Sequence, residues 1–333
     1  MYKFKTQPFK HQEDVLKISW NQSVWAYFME MGTGKSKVCI DNVGILFEKN
    51  EIDTFVVIAP KGVYRNWSNI EIPVHLPDHI EKEICVWRPS PNKKEKELLL
   101  SLLKEKVPGV LRIFVMNVEA LSTAKGTSYL AALLKKSVTL LAIDESTAIK
   151  NPKAKRTKTI IKISREAKYK RILTGSPVTQ SPLDLWAQCN FLSPTLLGET
   201  GDNFFQYQYR FAIMKKTTVG ANSFNMVVGY KNLDKLNELL KNFSSRIMKE
   251  ECLDLPDKVY ITRSVQLTDD QERIYSEIKN LALAQFNDEE LMTAPIIMTQ
   301  LVRLQQVLSG HPKTNEEKLK EIKINGLQEF INV

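Results

Sequence analysis

Paired cysteines are what this 333-residue chain most conspicuously lacks. Cys39, Cys85, Cys189 and Cys252 stand far apart with no CxxC spacing, which excludes a disulfide-stapled scaffold and a zinc finger or ribbon. Histidine is equally scarce at four residues. His75 and His79 sit four apart, but Pro77 between them breaks any helix that would align them, so a solvated loop is expected there. No apolar run reaches the length of a membrane span, and the opening MYKFKTQPFKHQ has no apolar signal core. A cytosolic or nuclear protein without a membrane partner is expected. Acids are outnumbered, 38 against 47 lysines and arginines, leaving +9. That balance suits a polyanionic partner and is equally compatible with a solvated surface. The length predicts two structural units, or one domain with a large appendage.

The richest stretch lies at residues 25–36. Trp25, Ala26, Tyr27 and Phe28 are apolar without alternation, as in a strand covered on both faces. Gly32, Thr33, Gly34, Lys35 and Ser36 follow. Glycines let backbone N–H groups turn toward an anion, the lysine reaches outer phosphates, and the hydroxyl suits Mg²⁺. Met29 stands where the strict phosphate-loop pattern has its first glycine. The next helix carries an apolar stripe at Cys39, Val43, Leu46 and Phe47, which aims its N-terminus at the phosphates.

Upstream, Gln12 opens a helical segment, and its amide offers the donor and acceptor needed to read an adenine edge. Downstream, a strand at 55–59 ends in Pro60, Lys61 and Gly62, then Tyr64, Arg65, Asn66 and Trp67. Lys61 and Arg65 suit a phosphate backbone; a capped loop with a packing tryptophan is the plain alternative. Further strands are expected at 83–87, 113–116, entering Asn117, and 139–143. The last delivers the adjacent acids Asp144 and Glu145 at its end. In a chain with a phosphate loop, that arrangement serves ATP hydrolysis: Asp144 holds Mg²⁺ and Glu145 orients or deprotonates the attacking water. The lysine-rich run from Lys150 to Lys162 reads as a solvated face. A short strand at 171–174 leads into Thr174, Gly175 and Ser176, small groups placed to sense a γ-phosphate. A β-hairpin is expected between Met214 and Tyr230. Ile274, Ile278 and Leu281 show the spacing of a packed helix.

MGTGKS, IAPKGVYRNW, DESTAIKN and LTGSPVTQSPLDLWAQCNFLSP, in this order, resemble the first motor domain of helicase superfamily two, and most closely its SWI/SNF-type DNA translocases. Leu255-Pro256-Asp257-Lys258, Gln266-Leu267-Thr268 with Tyr275, and Leu301-Val302-Arg303-Leu304 followed by His311-Pro312 extend the resemblance over nearly the whole chain. It implies an α/β fold: a RecA-like domain with a mostly parallel sheet over 1–200, a helical insertion with a small hairpin over 201–312, and a charged tail over 313–333. It also implies a double-stranded DNA translocase. ATP and Mg²⁺ would lie at Gly32, Thr33, Gly34, Lys35, Ser36 and Asp144, with Gln12 at the adenine and Glu145 catalytic. Lys61, Arg65 and Asn117 would face the DNA backbone, and Thr174, Gly175 and Ser176 would couple the site to motion. In the family a second RecA-like domain follows the His-Pro. This chain, a monomer of half a motor on that reading, is expected to turn over ATP weakly alone. The resemblance places the protein with DNA, in the cytoplasm at the nucleoid or in a nucleus. A docking module indifferent to ATP is the rival reading. Three positions depart from the family pattern: Thr147 replaces its histidine, Ile247 the second arginine of an RRxK segment, and Met29 a frequent aspartate.

Overall fold

Residues 24–29 form the first strand because every side chain along them finds apolar cover, one set on each face of a sheet. Ala26 and Phe28 enter one core layer, Trp25, Tyr27 and Met29 the other. That is the physical origin of an apolar run without alternation. The computed structural model describes residues 2–104, 107–198, 201–219, 222–252, 261–262, 266–287 and 294–309. The Leu255-Pro256-Asp257-Lys258 segment lies outside them, as do His311-Pro312 and the 313–333 tail.

Seven parallel strands build the central sheet. They are β1 (Val24–Met29), β2 (Thr54–Ala59), β3 (Glu81–Val86), β4 (Val110–Asn117), β5 (Thr139–Asp144), β6 (Tyr169–Leu173) and, after a hairpin of β7 (Ala212–Val219) and β8 (Asn222–Tyr230), β9 (Ser244–Ile247). Their order is β3-β4-β2-β5-β6-β1-β9, every neighbouring pair parallel. Parallel neighbours need crossovers, and helices on both faces supply them. The helices α1 (Lys10–Ser19) and α2 (Lys35–Glu48) cover the face of Tyr27 and Val57, while Ala124–Lys136 and Leu185–Leu192 cover that of Phe28 and Ile58.

Each strand anticipated from the sequence is present, most extended by a residue or more. The hairpin pairs antiparallel with a register shift between Ile213 and Met214. His75 ends a short helix, Ile72–His75, and its ring lies 2.8 Å from the Thr6 hydroxyl; His79 meets Glu48.

The family resemblance ends the RecA-like domain at residue 200, whereas the sheet draws β9 from residues 244–247. The chain divides into two compact units, Met1–Leu255 and Pro256–Val333. In the second, the helices Asp269–Asn287 and Ala294–Leu308 are joined by the buried Gln271 amide, which donates to the Val307 carbonyl at 3.1 Å.

One buried cation organises the first unit. Arg171 on β6 is fully buried and spends its guanidinium on the Asn42 side chain and the carbonyls of Ser19, Gln22, Ser23 and Lys170. It thereby joins β6 to α2 and to the turn between α1 and β1.

Candidate active site

Parallel strands point their carboxyl ends to one edge of the sheet, where α/β folds hold ligands. Four of these ends meet around a cleft of about 510 Å³. β1 contributes Met31, Gly32, Lys35 and Ser36, and β2 contributes Pro60, Asn66, Trp67 and Glu71. β5 ends in Asp144 and Glu145, and β6 leads to Thr174, Gly175 and Ser176. β6 lies between the strand of the phosphate loop and the strand of the acids, so Thr174 rises between Lys35 and Asp144.

The loop turns where only glycine is at ease. Gly32 and Gly34 have φ of 86° and 89°, the left-handed region. A Cβ on Gly34 would collide with the Gln12 amide nitrogen. Lys35 and Ser36 open α2, whose unpaired N–H groups and positive dipole end face the cleft. The Thr33 hydroxyl donates to the Glu30 carbonyl at 2.7 Å, which closes the turn from inside.

The acids are held firmly. Asp144 Oδ2 accepts from the Trp67 indole N–H at 2.9 Å, and Oδ1 accepts from the Glu145 amide at 3.0 Å. Burial raises the Asp144 carboxyl above its ordinary range and Glu145 adds to that, while Trp67 and Lys35 oppose the rise. Glu145 sits at φ 47°, a left-handed conformation rare for a non-glycine residue. That turn brings its carboxylate to the Thr174 hydroxyl at 3.3 Å. Burial likewise raises the Glu71 carboxyl and Asp144 adds to that, while the nearby Ser36 hydroxyl opposes the rise.

These groups suit a magnesium–nucleotide. Mg²⁺ usually takes one or two protein oxygens, the rest coming from phosphates and water. Ser36 and Asp144 are such a pair, and among the described residues no group of three or more His, Cys, Asp or Glu is placed to hold a metal unaided. Three carboxylates line the cleft against Lys35, and that excess of negative charge favours a divalent cation.

Other expected residues stand elsewhere. Gln12 is buried, 4% exposed, and both ends of its amide are engaged: Oε1 accepts from the Phe9 N–H and Nε2 donates to the Thr33 carbonyl. It braces the phosphate loop and is not in the lining of the cleft. Thr33 is buried beneath the loop. Lys61 and Arg65 are exposed beyond β2, Arg65 Nε donating to the Tyr64 hydroxyl at 3.2 Å. Asn117 is 8% exposed, its amide donating to Glu119. Of the three departures, Thr147 lines the cleft, Ile247 packs against the core and Met29 is fully buried.

Sequence reasoning passed over Glu71, which shares the cleft lining with Trp67, and Lys249, whose chain lies over Gly32: an added Cβ there would stand 3.2 Å from Lys249 Cε. Trp67 and Glu71, four apart on one helix, carried a usable signal. Lys249 carried none, because its nearness to Gly32 depends on β9 pairing with β1.

The sequence matches the SNF2-related domain over residues 26–313. It is 28% identical over 260 residues to the chromatin-remodeling ATPase INO80 of Eremothecium gossypii, a stretch covering 78% of this chain and 17% of that protein. With the TATA-binding protein-associated factor MOT1 of Saccharomyces cerevisiae it shares 28% identity over 188 residues, 55% of this chain and 10% of that one. The chain therefore spans less than a fifth of the length of these two relatives. The SWI2/SNF2 ATPase core of Sulfolobus solfataricus, solved in complex with dsDNA, has the same fold at a TM-score of 0.54 and 23% identity, over 95% of this chain and 61% of that one. A match that starts within β1 and runs to residue 313 covers most of the chain and decides the assignment: the chain belongs to the SNF2-related domain family.

Proposed function

We propose that the cleft binds ATP with Mg²⁺ and hydrolyses it in response to double-stranded DNA. The observation that carries this reading is the convergence of Lys35, Ser36, Asp144, Glu145 and Thr174 on one cleft at the carboxyl edge of the sheet. Gly32, Thr33 and Gly34 shape the loop for the phosphates, and Lys35 neutralises the outer ones. Ser36 and Asp144 hold the metal. Glu145 takes the proton of the attacking water, and its contact with Thr174 links that step to the Thr174-Gly175-Ser176 turn. Gln12 serves from behind, by fixing the loop, and reaches an adenine only with its remaining N–H.

Lys61 and Arg65, with the loop after Met116 that starts at Asn117, form the DNA-facing edge. Their types suit the phosphate backbone, which gives grip without sequence reading. Residues 1–200 with β9 are the ATP-binding body on this reading, and 201–312 the insertion leading toward a second RecA-like domain. The chain acts as a monomer wherever its DNA is. No helix among the described residues is long and apolar enough to cross a membrane.

The deciding experiment is ATP hydrolysis by the chain with and without duplex DNA, repeated with a separately made second RecA-like domain and with Lys35→Ala. DNA-stimulated turnover that rises with the added domain and vanishes in the variant is expected. Nucleotide binding without any response to DNA in either mixture overturns the motor reading in favour of a docking module.

A further inference from the structure

We infer that Trp67 and Glu71 are positioning residues for Asp144 and Ser36, and that through these contacts they set the magnesium requirement for nucleotide binding. The inference rests on the ATP–Mg²⁺ reading above and extends it to two side chains outside the phosphate loop and the acid pair.

Both residues belong to one irregular helical segment, residues 64–75. It begins as Tyr64–Asn66, widens over Trp67–Glu71 so that the Ile72 amide bonds back to the Trp67 carbonyl, and closes as Ile72–His75. A turn spanning five residues is a π-helical bulge, a form frequent at functional sites. Here it places Trp67 and Glu71, four apart, in the lining of the same cleft. Each faces one of the two oxygen donors expected to hold the metal.

The chemistry of the two contacts is complementary. A carboxylate that binds a cation with one lone pair must be kept from rotating. Trp67 donates to Asp144 Oδ2 at 2.9 Å and the Glu145 amide to Oδ1, so the plane of the Asp144 carboxylate is set by two N–H groups. A hydroxyl that offers a lone pair to a cation must send its own proton elsewhere, and the Glu71 carboxylate, in the same cleft lining as Ser36, is the acceptor at hand. Hydrogen-bond partners of this kind orient metal ligands; an acceptor for the Ser36 proton also makes that oxygen more basic, whereas the Trp67 N–H fixes the Asp144 carboxylate and favours its charged form. Neither contact is needed for burial alone. Trp67 is 2% exposed and already packs against Phe55, ring centroids 6.1 Å apart, a contact that a phenyl ring would largely keep. Glu71 is half-buried at the cleft wall, where glutamine fits the same space.

The test is calorimetric titration of ATP into the wild-type chain, Trp67→Phe and Glu71→Gln, in EDTA and across a series of Mg²⁺ concentrations, with thermal melting of each protein in EDTA. Each variant is expected to need more Mg²⁺ for half-maximal nucleotide binding: about 10–100-fold for Trp67→Phe, the usual cost of removing such a partner, and less for Glu71→Gln, whose amide oxygen still accepts the Ser36 proton while the charge is lost. Affinity for metal-free ATP should stay as in wild type in Trp67→Phe and should not fall in Glu71→Gln, and the melting temperature in EDTA should be unchanged. A wild-type magnesium requirement in Glu71→Gln, or equal losses with and without Mg²⁺ in both variants, overturns the inference. If Trp67→Phe melts early, Glu71→Gln decides alone. A wild-type chain that binds no nucleotide under either condition overturns the ATP reading itself.

Discussion

The Thr174 hydroxyl donates to the Glu145 carboxylate across 3.3 Å, so the turn after β6 and the acid at the end of β5 are in direct contact. Glu145→Gln should leave ATP affinity intact and lower turnover by about 10²–10⁴-fold, the range for losing a general base. Thr174→Val should give a smaller loss of the same kind. Equal loss of binding and turnover in steady-state kinetics would show that the pair holds structure and takes no part in the chemistry.

Gly34→Ala should remove nucleotide binding and destabilise the fold. Its φ of 89° is strained for any side chain, at about 1–2 kcal/mol, and the added Cβ meets Gln12. Denaturant unfolding of Gly34→Ala beside Gly34→Ala with Gln12→Ala separates the two causes: the double variant should regain part of the loss.

Lys37 and Asp41 form a buried ion pair at 2.8 Å on α2, with Tyr2 at the second Asp41 oxygen. Burial raises the Asp41 carboxyl from 3.8 to about 6, against the pull of Lys37. The folded state then holds this proton more tightly than the unfolded chain. The stability Asp41 contributes through that proton is therefore fully present below pH 3.8 and is lost as pH rises through about 6. Asp41→Asn should remove that part of the slope. It should also cost about 3–5 kcal/mol, because Lys37 is left buried without its partner. Urea unfolding of both proteins from acid to neutral pH gives the comparison.

Arg171→Met should rank among the most damaging single changes. It strips hydrogen bonds from Asn42 and the Ser19 carbonyl, which lie in the protein interior, and from the Gln22 carbonyl at its margin. Each acceptor left unsatisfied costs about 1–3 kcal/mol. A melting temperature within a degree or so of wild type would show that water reaches these carbonyls.

Lys61→Ala with Arg65→Ala should weaken duplex DNA binding alike on all sequences. The slope of log affinity against log salt should fall by about 0.9 for each phosphate that the variant no longer neutralises. An unchanged slope in fluorescence anisotropy would move the DNA-facing surface away from β2.

Much of this site was legible in one dimension because its parts are local. A phosphate loop needs its glycines, lysine and hydroxyl in consecutive positions, since one turn must present them to one anion. Paired acids at a strand end need only be adjacent. A buried parallel strand shows as an unbroken apolar run. These local demands determined the strands β1, β2 and β5, the loop at Gly32–Ser36 and the acids Asp144 and Glu145 from sequence alone. Contacts across the sheet could not be read that way. Gln12 offers two hydrogen-bonding ends in any setting, and only the packing of α1 on the loop commits them to Phe9 and Thr33. Trp67 is 77 residues from Asp144, and the two meet because β2 and β5 are neighbours in the sheet. β9 joins β1 from more than 200 residues away and so brings Arg246 to the Gly175 carbonyl. Strand order and helix placement are properties of the whole core, and they decided which distant side chains stand beside the short segments that line the cleft.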